Sequence, residues 1–228
     1  MSRYISQDLF RFFRELRRHN EREWFERHKA RYEAQVREPL LGFISDFAPH
    51  LHAISPHFTA IAKKTGGSLF RPQRDTRFSS DKRPYKENAG LQFRHARGRD
   101  AHAPCFYLHL APGEVFAAAG VWRPQARTAD LIRAAILDDP AGWSDVVNDR
   151  RFRRAWGRVQ GERLRRPPGG APADHPFLDD LCLKEFLVWT QFTEDAACRA
   201  DFLGRFARLC AAAGPFMRFL CRALDLPF

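Results

Sequence analysis

The period of the hydrophobic pattern changes near residue 58, and this change limits the fold more than any other feature of the chain. Before it, apolar residues recur at helical spacing. Leu9, Phe10, Phe12, Phe13 and Leu16 share one side of DLFRFFRELRRH, which follows Ser6, a residue type suited to an N-cap. Asn20 opens N-E-R-E, the spacing of a capping box, and the next segment aligns Trp24, Phe25, His28, Tyr32 and Val36. Pro39, tolerated in the first turn of a helix, introduces Leu40, Leu41, Phe43, Ile44 and Phe47 for burial. After residue 58 the period becomes two. CFYLHL puts Phe106, Leu108 and Leu110 on one face and Cys105, Tyr107 and His109 on the other. GLQFRH opposes Leu91 and Phe93 to Gln92 and Arg94, and EVFAAAGVW is a third strand, joined through Ala111-Pro112-Gly113-Glu114. Such alternation predicts antiparallel strands with one packed face and one polar face.

The remaining chain returns to helical spacing over 124–136, with Leu131, Ile132, Ala135 and Ile136 as its apolar side, and shorter helices are expected over 143–147 and 152–156. RRPPGGAPADHP is a loop by composition, and FLVWTQF has strand-forming residues. Thr193-Glu194-Asp195 begins a last helical region, broken at Gly214-Pro215. The expectation is one α+β domain over residues 1–228, with a central antiparallel sheet flanked by N-terminal and C-terminal helices. Residues 1–55 are expected to be helical, 56–123 mainly strands and 124–228 mainly helical.

Composition narrows the function classes. Apolar residues at 44% and charged residues at 29% describe a chain that folds rather than one that stays disordered. No apolar run reaches the roughly 20 residues needed to span a bilayer, and the N-terminus lacks the basic-then-apolar order of a signal peptide. A cytoplasmic location and no membrane partner are therefore expected. The cysteines Cys105, Cys182, Cys198, Cys210 and Cys221 are odd in number and form no CxxC pair, which argues against disulfides and zinc. HExxH, GxSxG and GxGxxG are absent, and Gly66-Gly67 lacks the GK[ST] ending of a P-loop, so no metal and no cofactor are expected.

A formal net charge of +11 favours anionic partners. The charge is densest in RPQRDTRFSSDKRPYK, residues 71–86, where Arg71, Arg74, Arg77, Lys82, Arg83 and Lys86 face only Asp75 and Asp81. Arginine forks bind carboxylate or phosphate oxygens in pairs, whereas lysine is a mobile point charge. An internal network carries about one acid for each base, so some of these cations need a partner outside the segment. Arg71, Arg74, Arg77 and Lys82 are the candidate anion ligands, with Asp75 and Asp81 as acceptors that hold the arginines. Tyr85, Tyr107 and His109 are candidates to orient the ligand. His109 and Tyr85 are also the candidates for acid–base chemistry, although a hydrogen-bonded structural histidine is the commoner case. His175, in the DHP loop, is similar. Trp24, Phe25 and Tyr32 beside Arg22, Arg27 and Lys29 have the composition of a stacking platform, but their helical spacing favours core packing.

Three readings follow. The first is a pocket for an anionic small molecule, phosphate or carboxylate, with or without catalysis. The second is a basic nucleic-acid-binding module that uses many scattered arginines. The third is a structural or interaction protein in which the Arg/Asp segment only locks the fold. Arg71, Arg74, Asp75, Arg77, Phe78, Asp81, Lys82 and Tyr85 fit the pattern RxxRDxRFxx(D/N)KxxY. With NEREWFERHKARYE, FYLHLAPGE, RRPP followed by DHP, and LCLKEF, the chain resembles a widespread bacterial family of uncharacterised proteins across nearly its whole length. It departs from that family at Gly169, where a lysine is more usual. The resemblance implies the extent of the fold and the importance of the charged segment, and it implies no activity.

Overall fold

The computed structural model describes residues 4–98 and 103–228. It is an α+β structure. The N-terminal helices are α1 (Gln7–Arg18), α2 (Arg22–Arg27), α3 (Lys29–Tyr32) and α4 (Glu38–Ile54), the last entered through a π-helical turn at Glu33–Arg37. Ser6 holds the N-cap position of α1 in extended conformation, and its carbonyl accepts from the Leu9 N–H at 3.1 Å. Asn20 does not cap α2, where Glu21 stands at the N-cap. Its amide instead accepts from the Tyr85 N–H and donates to the Tyr85 carbonyl, both at 3.0 Å. A carboxamide has one donor and one acceptor edge, which match the two backbone groups of one extended residue. This match depends on a residue 65 positions away, so local spacing does not reveal it.

Three strands, β1 (Ala89–Arg94), β2 (Cys105–Ala111) and β3 (Glu114–Val121), form a meander. Pro112 and Gly113 close the second hairpin, and Gly113 has φ +78°, the left-handed region in which a glycine costs nothing. Helices α5 (Ala126–Asp138), α6 (Pro140–Asn148), α7 (Arg150–Trp156) and α8 (Leu178–Leu181) precede β4 (Phe186–Phe192), which pairs antiparallel with β3. Helices α9 (Glu194–Ala197), α10 (Phe202–Ala212) and α11 (Gly214–Ala223) follow, with strand order β1-β2-β3-β4.

The register places Leu91 opposite Leu108, and Phe93 opposite Phe106. These side chains, with Ala117, Ala119, Phe186 and Val188, are fully or almost fully buried. They face α4 and α10, where the Phe47 ring lies tilted, 4.7 Å from the Phe93 ring and 4.9 Å from that of Phe206. Burial of each such ring contributes about 1.5–3 kcal/mol. Trp24, Phe25 and Tyr32 join the same core rather than a stacking surface.

Residues 57–88 differ from the strands expected there. They carry isolated bridges, Phe58 to His95, Leu69 to Leu91 and Gln73 to Tyr85. Gly66, Gly67, Pro72 and Pro84 interrupt any longer ladder. The segment nevertheless lies along the free edge of β1, where Thr59 N–H meets the Arg94 carbonyl at 3.0 Å, Phe70 N–H the Gly90 carbonyl at 2.9 Å, and Gln92 N–H the Ser68 carbonyl at 2.8 Å. Gln160 and Leu187 exchange backbone bonds on the outer edge of β4. Both edges are thus covered, which removes unpaired strand groups from solvent.

His95 closes this edge. It is completely buried, its Nε2 lies 2.8 Å from the Pro227 carbonyl, and its Nδ1 lies 3.2 Å from the Arg97 N–H. A carbonyl only accepts and an amide N–H only donates, so the ring is the neutral Nε2–H tautomer. Burial, with His57 and Arg97 nearby, lowers its pKa, against the raising effect of the Pro227 carbonyl. The unfolded chain then binds the proton more readily. Stability from this group is therefore present above the ordinary histidine pKa of about 6.5 and lost as pH falls from there through the lower value of the folded state. His95→Ala should cost about 1–3 kcal/mol at neutral pH and flatten the acid-side decline, measured by urea unfolding across a pH series.

Candidate functional site

The face of the sheet turned away from the helices is polar and aromatic. Its rows read Gln92, Tyr107, Ala118, Trp189, then Gly90, His109, Phe116, Gln191, in register across the four strands. The Phe116 ring stacks on His109 at 4.7 Å and meets Trp189 edge-on at 6.2 Å. Phe70, from the loop along β1, reaches over this face to within 6.0 Å of the Tyr107 ring. Gly90 permits that approach, since a Cβ there would fall 2.6 Å from the Tyr107 hydroxyl and 3.0 Å from Phe70.

Tyr107 and His109 form a hydrogen-bonded pair, with hydroxyl to Nδ1 at 3.1 Å. The nearer Tyr107 hydroxyl donates to Nδ1 in the tautomer that carries the ring proton on Nε2, and the Asn88 amide nitrogen lies 3.5 Å from the same Nδ1. Nε2 then carries the proton toward Glu114, 3.9 Å away. Burial lowers the His109 pKa against the raising effect of Glu114. Burial also pushes the Tyr107 phenol well above the usual range. Together they are a neutral relay able to pass a proton, not a charged pair.

Most cations of the 71–86 segment already have internal acceptors. Arg74 bonds Asp81, and Arg83 bonds Asp81 and Glu87. Arg77 clasps Asp75 with its fork, Nε to Oδ1 at 2.9 Å and Nη2 to Oδ2 at 2.7 Å. The hydrogen bonds from the Arg77 side chain, and then the one from its backbone N–H, hold the Asp75 carboxyl down to about 2. The Arg83 and Arg74 guanidinium groups hold Asp81 lower still. Lys82 donates to the Thr76 carbonyl at 3.0 Å. Tyr85 is buried and stacks on Phe25 at 4.0 Å, 12° from parallel, away from the open face. His175 lies elsewhere, in the loop before α8, with its Nδ1 accepting from the Phe177 N–H.

Arg71 and Lys86 differ from the others. Among the described residues no carboxylate pairs with either. Lys86 is half-buried, with its Nζ 4.8 Å from the Phe70 ring centroid, so an aromatic face stands where an acid would be expected. Burial and the positive charge of Arg71 both push the Lys86 pKa down. Arg71 lines a cavity of about 250 Å³ with Lys64, Ser68, Phe70, Gln92 and Arg94. Lys64 pairs with Glu38, whereas Arg94 has no carboxylate partner among the described residues. The structure thus brings Arg71, Tyr107 and His109 to one face with Phe70, Lys86, Asn88 and Arg94. Arg74, Arg77, Lys82 and Tyr85 are held apart from it. The sequence contained a signal for Lys86 in the surplus of bases over acids, and for Arg94 in its place on the polar side of β1.

No group of His, Cys, Asp and Glu side chains suited to a metal occurs among the described residues, and no helix there is long and apolar enough to cross a membrane. A protein-family model described as "Conserved hypothetical protein (DUF2461)" matches residues 8–219. No curated protein and no solved structure matches the chain.

The segment makes two opposite stability predictions. The Asp75–Arg77 pair is exposed on both sides, so Asp75→Ala should leave the unfolding midpoint essentially unchanged. Tyr85→Ala removes a ring packed in the core and should cost about 3 kcal/mol. Chemical denaturation of the two variants against the unsubstituted chain measures both.

Proposed function

The chain belongs to the DUF2461 family of conserved hypothetical proteins, whose description carries no activity, and we propose that it binds an anionic small molecule where the loop of residues 59–71 meets the open face of β1. The observation that carries this reading is that Arg71 and Arg94 line the cavity and Lys86 sits against the Phe70 ring at its wall, with no carboxylate within ion-pair distance of the three among the described residues and Asp75 acting on Arg71 only from farther off. The positive charge of Arg71 acts on Lys86, and a bound anion would relieve that repulsion directly. Arg71 supplies a fork for two oxygens, and Ser68, Gln92 and the Phe70 ring supply the surrounding wall. A phosphate or carboxylate group fits that chemistry. Arg74, Arg77 and Lys82 support the loop in this reading, because each already donates to an acceptor within the segment.

Phosphate or sulfate should raise the melting temperature over chloride at matched ionic strength. At about 100 times Kd the stabilisation is about 2.7 kcal/mol, or roughly 5–10 °C for a chain of this size. Arg71→Gln and Lys86→Met should fold yet lose most of the shift, while Arg77→Lys should retain it. No shift in the unsubstituted protein, or an equal shift in all variants, contradicts the proposal.

A further inference from the structure

We propose that Lys86 is a nucleophilic amine that forms a Schiff base with small 2-oxo acids whose carboxylate is held by Arg71. The inference rests on the anion-binding reading and adds a covalent step to it. Among the six lysines of the chain, Lys29, Lys64 and Lys184 pair with Glu26, Glu38 and Glu162, and Lys82 donates to the Thr76 carbonyl. Lys63 is exposed on the surface loop. Lys86 is set apart by three features at once. It is half-buried, its nitrogen sits against the Phe70 ring, and the neighbouring charge acting on it is the positive one of Arg71. Removal from water and a like charge both disfavour the ammonium form, which is how lysine amines are made nucleophilic.

The same arrangement selects the electrophile. An acid would pair with Arg71, and a carbonyl beside that carboxylate would be presented to an amine next to it. The lone pair of the neutral amine attacks the carbonyl carbon, a C–N bond forms and the carbonyl oxygen takes a proton. The carbinolamine then expels that oxygen as water, with a proton taken from nitrogen or solvent, and leaves an imine. Amine plus ketone gives imine plus water, so no oxidant or reductant is required. Tyr107 and His109, hydrogen-bonded at 3.1 Å on the same face, are a neutral pair fit to carry the protons. The carboxylate requirement separates this site from a lysine that merely reacts with any aldehyde.

The test is trapping of the full-length chain with pyruvate and cyanoborohydride near neutral pH, followed by peptide mass spectrometry. The expected result is one reduced adduct on Lys86, formed at least tenfold faster than on any other lysine, competed by phosphate, and much slower with acetone. Lys86→Arg should keep the phosphate-induced rise in melting temperature and give no selective adduct, while Arg71→Gln should lose the preference for pyruvate over acetone. A phosphate shift without selective labelling of Lys86 overturns this inference and leaves the anion site standing. Labelling of Lys86 equally fast by acetone overturns the 2-oxo acid as substrate. Absence of both labelling and the shift removes the anion reading as well.

Discussion

A sheet packed on one face by helices and left open on the other is the constraint from which the remaining structure follows. The alternation in β1, β2 and β3 sends Leu91, Phe93, Phe106 and Leu108 to the helices. The same alternation must send Gln92, Tyr107, His109 and Phe116 to the opposite face. A helix laid on that second face would bury polar side chains that each need a hydrogen-bond partner. Loops along the two sheet edges border it instead, 57–88 at β1 and 159–164 at β4. The location of the candidate site is therefore a consequence of the strand pattern and not an independent feature.

Charge balance then decides which part of the border has free cations. The 71–86 segment contains Asp75 and Asp81, and Glu87 follows it, so Arg74, Arg77 and Arg83 find carboxylates close in sequence. Arg71 and Lys86 stand at the two ends of the segment, where it joins the sheet edge. Asn20 ties the backbone of Tyr85 to the start of α2, and the Tyr85 ring stacks on Phe25 of the same helix. Lys86, the next residue, is thereby anchored on the open side. The structural lock and the proposed anion site thus belong to one segment, in which the first would hold the second in place.

Much of the architecture was legible from spacing alone. The alternation in β1 and β2 and the helical spacing of α1, α4 and α5 mark those elements, because burial on one side acts every second or every third to fourth residue, whereas β4 is marked by its strand-forming residue types. Long-range pairing was not legible. The paired hydrogen bonds from Asn20 to Tyr85 and the irregular path of 57–88 depend on which segments meet in space. For the site, the count of bases over acids signalled that cations were left over, but not which ones. Arg77 looked as available as Arg71 in sequence. Its bidentate bond to Asp75 exists because the turn brings residues two apart face to face. Tyr85 looked like a polar group near the ligand, yet its ring is what the core uses.

The account rests on Lys86 being a half-buried cation beside another cation, whose charge an anion would balance. A pH titration of the lysine side chains by NMR, with the resonances assigned through substitution of each of the six lysines, measures this directly. The account predicts a Lys86 pKa below the ordinary lysine value of about 10.4 in the free protein, rising when phosphate is added, because bound negative charge favours the ammonium form. A Lys86 that titrates like the other lysines and does not respond to phosphate would contradict it.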